Sequence, residues 1–194
     1  MQCTRPFTNR GCSGHEEARA CPLVFHGGGT LFVAVIGSAS CSPEIAAVAE
    51  QVGRQIARQR AVLVCGGRGG VMEAACRGAK AEGGTTVGIL PGTDRREANA
   101  YVDIPIVTGL GEARNAIVVR TADAVIAVSG GYGTLSEIGL ALKMGRPVVG
   151  PGTWELGQQG QSVGGVLQAG TPARAVAQAL ALVKGMPAEG ERDG

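Results

Sequence analysis

The sequence predicts an α/β fold: a Rossmann-like, doubly wound parallel sheet with helices on both faces, in a single domain. Short apolar runs alternate with segments whose apolar residues recur every three or four positions, which is typical of strands joined by crossover helices. Hydrophobic residues make up 44% of the 194 residues, yet only one Trp, two Tyr and three Phe occur. This aliphatic composition favours buried parallel strands over an aromatic-rich sandwich.

Glycine is the second observation behind this fold class. The chain contains 33 Gly, far above the average of roughly 7%. They follow no collagen-like period, and the high hydrophobic share excludes a disordered low-complexity chain. The richest glycine clusters come directly after apolar runs, where a parallel sheet binds its ligands.

The first half of the domain alternates strands with helices. A Ser-Pro-Glu sequence at 42–44 supplies an N-cap, a Pro at the first helical position and an acid in the first turn. A Gly pair at 83–84 ends the second helix. The predicted elements are a strand at 31–37, a helix at 42–59, a strand at 61–65, a helix at 71–81, a strand at 85–90 and a polar loop at 91–100.

The second half repeats the alternation. Gly145 ends one helix, and Pro147 is tolerated at the start of a strand. The predicted elements are a strand at 104–107, a helix at 112–121, a buried strand at 122–128, a helix at 135–144, a strand at 147–149, a Gly/Gln loop at 150–162, a short strand at 163–167 and an amphipathic helix at 171–183.

The two ends of the chain lack this pattern. We predict a flexible extension at residues 1–30, a folded domain at 31–185 and a disordered tail at 186–194. The extension has no apolar periodicity and ends in three consecutive glycines.

Cysteines raise the question of a metal site. Cys3, Cys12 and Cys21 lie in the extension near two His. Zinc is one interpretation, but structural zinc normally uses closer ligand pairs, and reduced thiols in a mobile tail are the alternative. Cys65 and Cys76 fall in apolar segments and are predicted to be small core residues. We therefore predict no metal and no cofactor.

Bulk properties exclude several partner classes. The net charge of +2 is too weak to indicate nucleic acid or a membrane surface. No apolar run approaches the ~18 residues of a membrane span, and the first such run, at 31–36, is too short for a signal peptide. We expect a cytoplasmic protein with a small-molecule ligand.

Two glycine clusters, at 66–70 and 130–133, each end a strand and begin a helix. A turn of this kind brings backbone N–H groups close to an anion, and the helix dipole adds favourable potential. Neither cluster has the Gly-Lys-Ser/Thr of a P-loop or the spacing of a dinucleotide fingerprint. The phosphate of a mononucleotide fits better.

Three charged side chains near these clusters have two interpretations each. Glu137 lies three residues after Thr134, the spacing of a capping box, so its carboxylate either closes the helix start or serves a ligand. Arg114 and Arg68 either pair with an anion or lie on the solvated surface.

The sequence Gly-Gly-Tyr-Gly-Thr-Leu-Ser-Glu at 130–137 resembles the P-G-G-x-G-T-x-x-E signature of the Lonely Guy (LOG) family, once labelled lysine decarboxylases. Gly-Gly-Arg-Gly-Gly-Val-Met at 66–72 is similar to that family's first glycine turn. The resemblance runs from about Val33 to Val183.

The resemblance implies a phosphoribohydrolase, which cleaves a nucleoside 5′-monophosphate into base and ribose 5-phosphate without a metal. It implies that Arg114 and Glu137 are the catalytic pair, with Glu137 supporting the oxocarbenium-like ribose. It also implies a homodimer or higher oligomer. Ligand contacts are predicted at Gly37, Ser38, Gly66, Gly67, Gly70, Met72, Asn115, Gly130, Gly131, Tyr132, Gly133 and Thr134.

Two departures from the signature favour an alternative. Ser129 stands where the family has Pro, and Arg114-Asn115 where it has Arg-Lys. This version looks more like a divergent branch that includes molybdenum-cofactor carrier proteins, which would make the chain a non-catalytic binder of a phosphorylated, nucleotide-like ligand. A third class, DNA-processing relatives of the same fold, is disfavoured by the mild charge and scarce aromatics. Tyr132 is the one ring inside a cluster that could stack on a base.

Overall fold

The computed structural model describes residues 29–159, 161–162 and 164–185, which form alternating strands and helices. The strands are β1 (Phe32–Gly37), β2 (Val62–Cys65), β3 (Thr86–Leu90), β4 (Ile104–Val107), β5 (Ala124–Val128), β6 (Val148–Gly150), β7 (Gly157–Gln158), β8 (Gln161–Ser162) and β9 (Val166–Gln168). The helices are α1 (Pro43–Arg58), α2 (Val71–Ala81), α3 (Asn115–Thr121), α4 (Tyr132–Lys143) and α5 (Pro172–Gly185). Short 3-10 turns lie at Arg95–Glu97 and Gly111–Arg114.

Seven of these strands form one parallel sheet in the order β4-β3-β2-β1-β5-β6-β9. Buried residues of α1, α2 and α5 pack on one face, and those of α3 and α4 pack on the other. The predicted Rossmann-like, doubly wound α/β fold is therefore confirmed. β7 and β8 pair separately as a small antiparallel hairpin.

Several predicted boundaries are wrong. The helix expected at 112–121 starts as a 3-10 turn, because Gly109 and Gly111 adopt positive φ and bend the chain tightly before α3. The helix expected at 135–144 begins three residues earlier, at Tyr132, since its packing outweighs the low helix propensity of Gly133.

The remaining differences are smaller. The strand expected at 122–128 begins at Ala124, and the strand expected at 163–167 lies at Val166–Gln168. The loops expected at 91–100 and 150–162 contain a 3-10 turn and the β7–β8 hairpin. Short polar elements of this kind have no apolar period to reveal them.

Two glycines let α1 and α2 touch through their backbones. A Cβ on Gly53 would collide with the carbonyl oxygen of Ala75, and a Cβ on Gly78 would collide with that of Glu50. The close approach helps to pack both helices against β1 and β2 and so fixes the position of the first glycine turn.

The predicted extension up to residue 28, with its Cys and His candidates, and the predicted tail from residue 186 lie outside the described residues. Within the described ranges, no helix is long and apolar enough to span a bilayer. In the same ranges, no three His, Cys, Asp or Glu side chains come together as a metal site.

Candidate functional site

The order of the strands reverses between β1 and β5, which makes this position the topological switch point of the sheet. These strands are neighbours, but the helix after β1 packs on one face and the helix after β5 on the other. Such a switch point leaves a crevice at the carboxyl ends of the strands, where ligands of open α/β sheets bind. Gly37 ends β1 and Ser38 follows it, so both lie at this edge, as do the glycine turns after β2 and β5.

The first turn, residues 66–70, is tightly packed. A Cβ on Gly66 would lie 2.6 Å from Nη2 of Arg114, and a Cβ on Gly67 would lie 2.7 Å from the Leu90 side chain. Gly70 has φ +64° and presses against the backbone of Ser38 and Ala39. Glycine is required here by close approach and by backbone conformation.

Hydrogen bonds from two other segments hold this turn. The N–H of Val71 donates to the carbonyl of Ser38 over 3.0 Å. The Asn99 side chain donates to the carbonyls of Gly67 (3.2 Å) and Arg68 (2.9 Å), and its backbone N–H also donates to Gly67. Sequence reasoning missed Asn99, because only the fold brings the 91–103 segment against the turn.

The second turn, residues 130–133, is open at two of its three glycines. Nothing lies within 4 Å of a Cβ placed on Gly131 or Gly133. The helix α4 starts at this turn with Gly131 as N-cap and no side-chain cap, whereas Ser42 caps α1. An uncapped helix start keeps its first N–H groups available for an anion.

The capping-box interpretation of Glu137 is wrong. Thr134 lies inside α4 rather than at its N-cap, and its buried side chain fills the space beside Gly130. Glu137 is therefore one turn further into the helix than a capping residue would be. Its carboxylate faces Arg114 instead, with 3.7 Å between Oε1 and Nη1.

Arg114, Asn115 and Glu137 form a buried polar group beneath the crevice. They are 6%, 6% and 7% exposed. Arg114 donates from Nη1 to Oδ1 of Asn115, and Nδ2 of Asn115 donates to Glu112 over 3.4 Å. Nε of Arg114 has no hydrogen-bond partner among the described residues. The interpretation of Arg114 as a surface residue is therefore wrong. Glu112, which the sequence analysis did not single out, also contacts this group.

Burial raises the pKa of Glu137 to about 7. The nearby guanidinium of Arg114 opposes this rise, and Glu112 adds to it. A carboxyl group with this pKa exchanges its proton near neutral pH, so its charge depends on what binds beside it.

The other predicted contacts lie around this group. Met72 is buried, with its sulfur beside Gly66, and Gly37 packs against Val71 and the carbonyl of Val128. Gly67 faces β3 rather than the second turn, since its neighbours are Leu90 and Gly88. Arg68 is exposed.

Cys65 and Cys76 are buried core residues below the first turn, with 3.5 Å between their sulfur atoms. The N–H of Gly67 donates to the Cys65 sulfur over 3.3 Å. The contact with Cys65, and then burial, raise the pKa of the Cys76 thiol. Cys76 is therefore a neutral packing residue at neutral pH.

Two aromatic rings border the second turn. Tyr132 is 84% exposed, and its ring centroid lies 6.1 Å from that of Trp154. Trp154 follows β6 and is positioned by Ser129, whose N–H donates to Gly152 over 3.1 Å and whose carbonyl accepts from Thr153 over 3.0 Å. Sequence reasoning missed Trp154, since it placed this residue in a loop without a role.

Comparisons with known proteins cover most of the folded part of the chain. The SLOG cluster4 family model matches residues 30–176. An uncharacterized protein of Archaeoglobus fulgidus is 49% identical over 116 residues, which are 60% of this chain and 76% of that protein.

Two solved structures are similar over nearly their whole length. The molybdenum cofactor binding protein of Rippkaea orientalis has 38% identity and a TM-score of 0.72, covering 79% of this chain and 98% of that one. The molybdenum cofactor carrier protein of Chlamydomonas reinhardtii has 39% identity and a TM-score of 0.70, covering 80% and 99%. DNA processing protein A of Streptococcus pneumoniae covers 77% of this chain and 62% of that one, and at 23% identity and a TM-score of 0.61 it shows the fold alone.

Proposed function

Because the chain belongs to the SLOG cluster4 family, we propose that it binds and carries a phosphorylated, nucleotide-like ligand such as molybdenum cofactor, without catalysis. The likeness to a binding protein and a carrier protein of that cofactor, at 38% and 39% identity, supports this function. The ligand is cargo in this proposal, not a resident cofactor.

One observation carries the proposal: α4 begins at the switch point without a side-chain cap, and in the described part of the chain its first three N–H groups, at residues 132–134, have no acceptor. The first N–H groups of α4 would bind the phosphate, because the helix dipole and free donors favour an anion there. Gly131 and Gly133 leave the approach open. Arg114 adds positive charge beneath the crevice, between the first turn and α4.

The state of Glu137 favours a carrier over an enzyme. Its side chain is only 9% exposed and faces Arg114, which in turn donates to Asn115. A general base must reach the water or proton it acts on. A carboxylate closed into a polar group of this kind is better suited to holding Arg114 in place.

The test introduces a negative charge at the second turn by substitution. Gly131→Asp would put a carboxylate where the phosphate binds, and Asp is also a preferred N-cap, so α4 would gain its missing cap. We expect phosphate-ligand binding, measured by calorimetry with GMP, AMP and neopterin monophosphate, to fall at least tenfold while the melting temperature holds or rises. Mass spectrometry of the co-purified ligand identifies the cargo.

The control is Gly139→Asp, which adds the same charge to α4 away from the turn, at another position with open space. It should bind like the unchanged protein. Equal loss in both variants would mean that overall charge, not the turn, governs binding. If none of the three compounds binds the unchanged protein, the proposal is wrong.

A LOG-type phosphoribohydrolase is the second candidate function, and the pKa of Glu137 near 7 favours it. Groups with such a pKa are suited to acid–base chemistry at neutral pH. The test is release of free base from nucleoside monophosphates, followed by chromatography. If free base is released and both Arg114→Ala and Glu137→Gln abolish the release, the chain is an enzyme. If no base is released, the carrier function stands.

We also propose that the chain acts as a homodimer or higher oligomer in the cytoplasm, without nucleic acid or membrane. Exposed apolar side chains on β4 and around α3 support self-association: Ile104 (49%), Ile106 (43%), Leu110 (53%) and Ile117 (37%). Light scattering should give a mass of at least two chains, and Ile106→Lys should lower it.

A further inference from the structure

The exposed ring of Tyr132 stands out in a chain with so few aromatic residues. Tyr132 is the first residue of α4 and directly follows Gly131. Its 84% exposure means that the ring gains little from packing within this chain. A planar apolar face left in water beside an open anion site is a natural surface for a planar ligand.

The ring of Trp154 is the aromatic neighbour of Tyr132, with 6.1 Å between the two centroids. It packs partly buried against the core under α3 and α4, and its ring is tilted by 34° to that of Tyr132. The hydrogen bonds of Ser129 with Gly152 and Thr153 tie the Trp154 loop to the second turn itself. The two rings and the turn therefore form one connected unit.

Resting on the proposed function, we propose that Tyr132, backed by Trp154, stacks on a fused heteroaromatic ring of the ligand whose phosphate binds at the second turn. The ligand class is then a phosphorylated purine or pterin, rather than a sugar phosphate without a ring. Tyr132 is the specificity-determining residue, because a ring-free phosphate would use the N–H groups of α4 but not the aromatic surface.

A second location for the ring exists in the crevice. A cavity of about 150 Å³ lies under the start of α1, lined by apolar side chains that include Ile45, Val48 and Pro151. The two locations lie toward different faces of the sheet, because Ile45 and Val48 pack on the α1 face and Trp154 packs on the α3–α4 face. Mutations can therefore separate them. Val48→Phe fills the cavity and leaves Tyr132 untouched.

The experiment compares ring-bearing with ring-free phosphates on the full chain. GMP, AMP and neopterin monophosphate are titrated beside ribose 5-phosphate by calorimetry. We expect the best ring-bearing compound to bind more tightly than ribose 5-phosphate. Tyr132→Ala should weaken that compound about 5- to 100-fold, the usual range for a lost base–aromatic stack, and leave ribose 5-phosphate unchanged. Tyr132→Phe should retain the affinity.

Trp154 supplies an independent readout, because it is the only Trp in the chain. Its fluorescence should change when the ring-bearing compound binds and stay constant with ribose 5-phosphate. Leu167→Ala, at an apolar residue that is 47% exposed on the edge strand β9, is the control and should leave every affinity unchanged.

The outcomes separate this inference from the proposed function. Equal affinity for ring-bearing and ring-free phosphates, with no effect of Tyr132→Ala, would overturn stacking while phosphate binding stands. Lost GMP binding in Val48→Phe but not in Tyr132→Ala would move the ring to the cavity. A change in oligomeric mass instead of affinity in Tyr132→Ala would make Tyr132 an interface residue. If no compound binds, the proposed function falls as well.

Discussion

The two glycine turns flank β1 and look alike in sequence, but their surroundings differ. In the first turn, Gly66, Gly67 and Gly70 each have protein atoms where a Cβ would stand. In the second turn, Gly131 and Gly133 have none. The first turn therefore needs glycine to pack. The second turn needs it at Gly130, where φ is +116° and a Cβ would collide with the Thr134 side chain, but not at Gly131 and Gly133.

This difference assigns different physical roles to the two turns. The N–H of Val71, at the start of α2, already donates to Ser38, so the first turn is bonded within the fold. Neither α2 nor α4 has a side-chain cap, but among the described residues no other segment accepts a hydrogen bond from the first N–H groups of α4. The first turn is a frame that sets the crevice, and the second turn is the part that is left open to a ligand.

The largest effect is expected on the free energy of unfolding, which should respond differently to a substitution in each turn. Gly70→Ala should lower the free energy of unfolding by about 3 kcal/mol or more, because a Cβ would meet the Ser38–Ala39 backbone and φ is +64°. Gly131→Ala should lower it by only about 1 kcal/mol, the cost of Ala at an N-cap, because no protein atom blocks the Cβ. Urea unfolding measures both. Similar losses in the two variants would remove the distinction between frame and open turn.

Ser129 is the next largest test, since it anchors the second turn to the loop after β6. Its φ of +53° and its N–H bond to Gly152 are both incompatible with Pro. Ser129→Pro should lower the free energy of unfolding by about 2 to 3 kcal/mol, and Ser129→Gly should leave it unchanged or raise it slightly. If Pro is tolerated, the turn adopts the backbone of the P-G-G signature and the anchoring is wrong.

The sequence was sufficient for the layout of the site and insufficient for its contacts. The alternation of apolar runs with helical periodicity predicts that each strand is followed by a helix. The Gly clusters that follow two strands are therefore predicted to lie at the same edge of the sheet. The capping-box spacing of Thr134 and Glu137 could not reveal that α4 starts at Tyr132. That start depends on packing against the sheet, not on local propensity.

Residues brought in by long-range contacts were equally hidden. Asn99 holds a turn more than thirty positions away in sequence, and Trp154 meets Tyr132 only because β6 lies beside β5. No spacing rule connects such pairs in a single sequence. Glu112 was visible only as an acid at the start of a helix, although it closes the Asn115 hydrogen bond.

A third prediction uses the pKa of Glu137, about 7 in the folded chain against an ordinary value of 4.5. Between these values the folded state holds a proton that the unfolded state has lost, so stability falls as pH rises from 5 to 7. The loss should amount to about 2 to 3 kcal/mol. Glu137→Gln should remove this loss.

The measurement is the difference in unfolding free energy between the unchanged chain and Glu137→Gln at several pH values. Taking the difference cancels the titration of the two His and of the surface carboxylates. A difference that does not vary between pH 5 and pH 7 would show that Glu137 is ionised in the folded chain, paired with Arg114. Bound phosphate ligand should shift the profile, because it adds negative charge near the carboxyl group.

The smallest expected effect concerns two glycines of the same helix, one in the second turn and one away from it. Gly133 and Gly139 both lie in α4 with open space around them. Replacing either with Ala should raise the free energy of unfolding by about 0.5 to 1 kcal/mol, through helix propensity and a less flexible unfolded chain. Only Gly133→Ala should also weaken GMP binding, since its methyl group would stand beside the free N–H groups at the start of α4. Equal binding in the two variants would mean that neither glycine is retained for the ligand, and the openness of the second turn would then have no functional meaning.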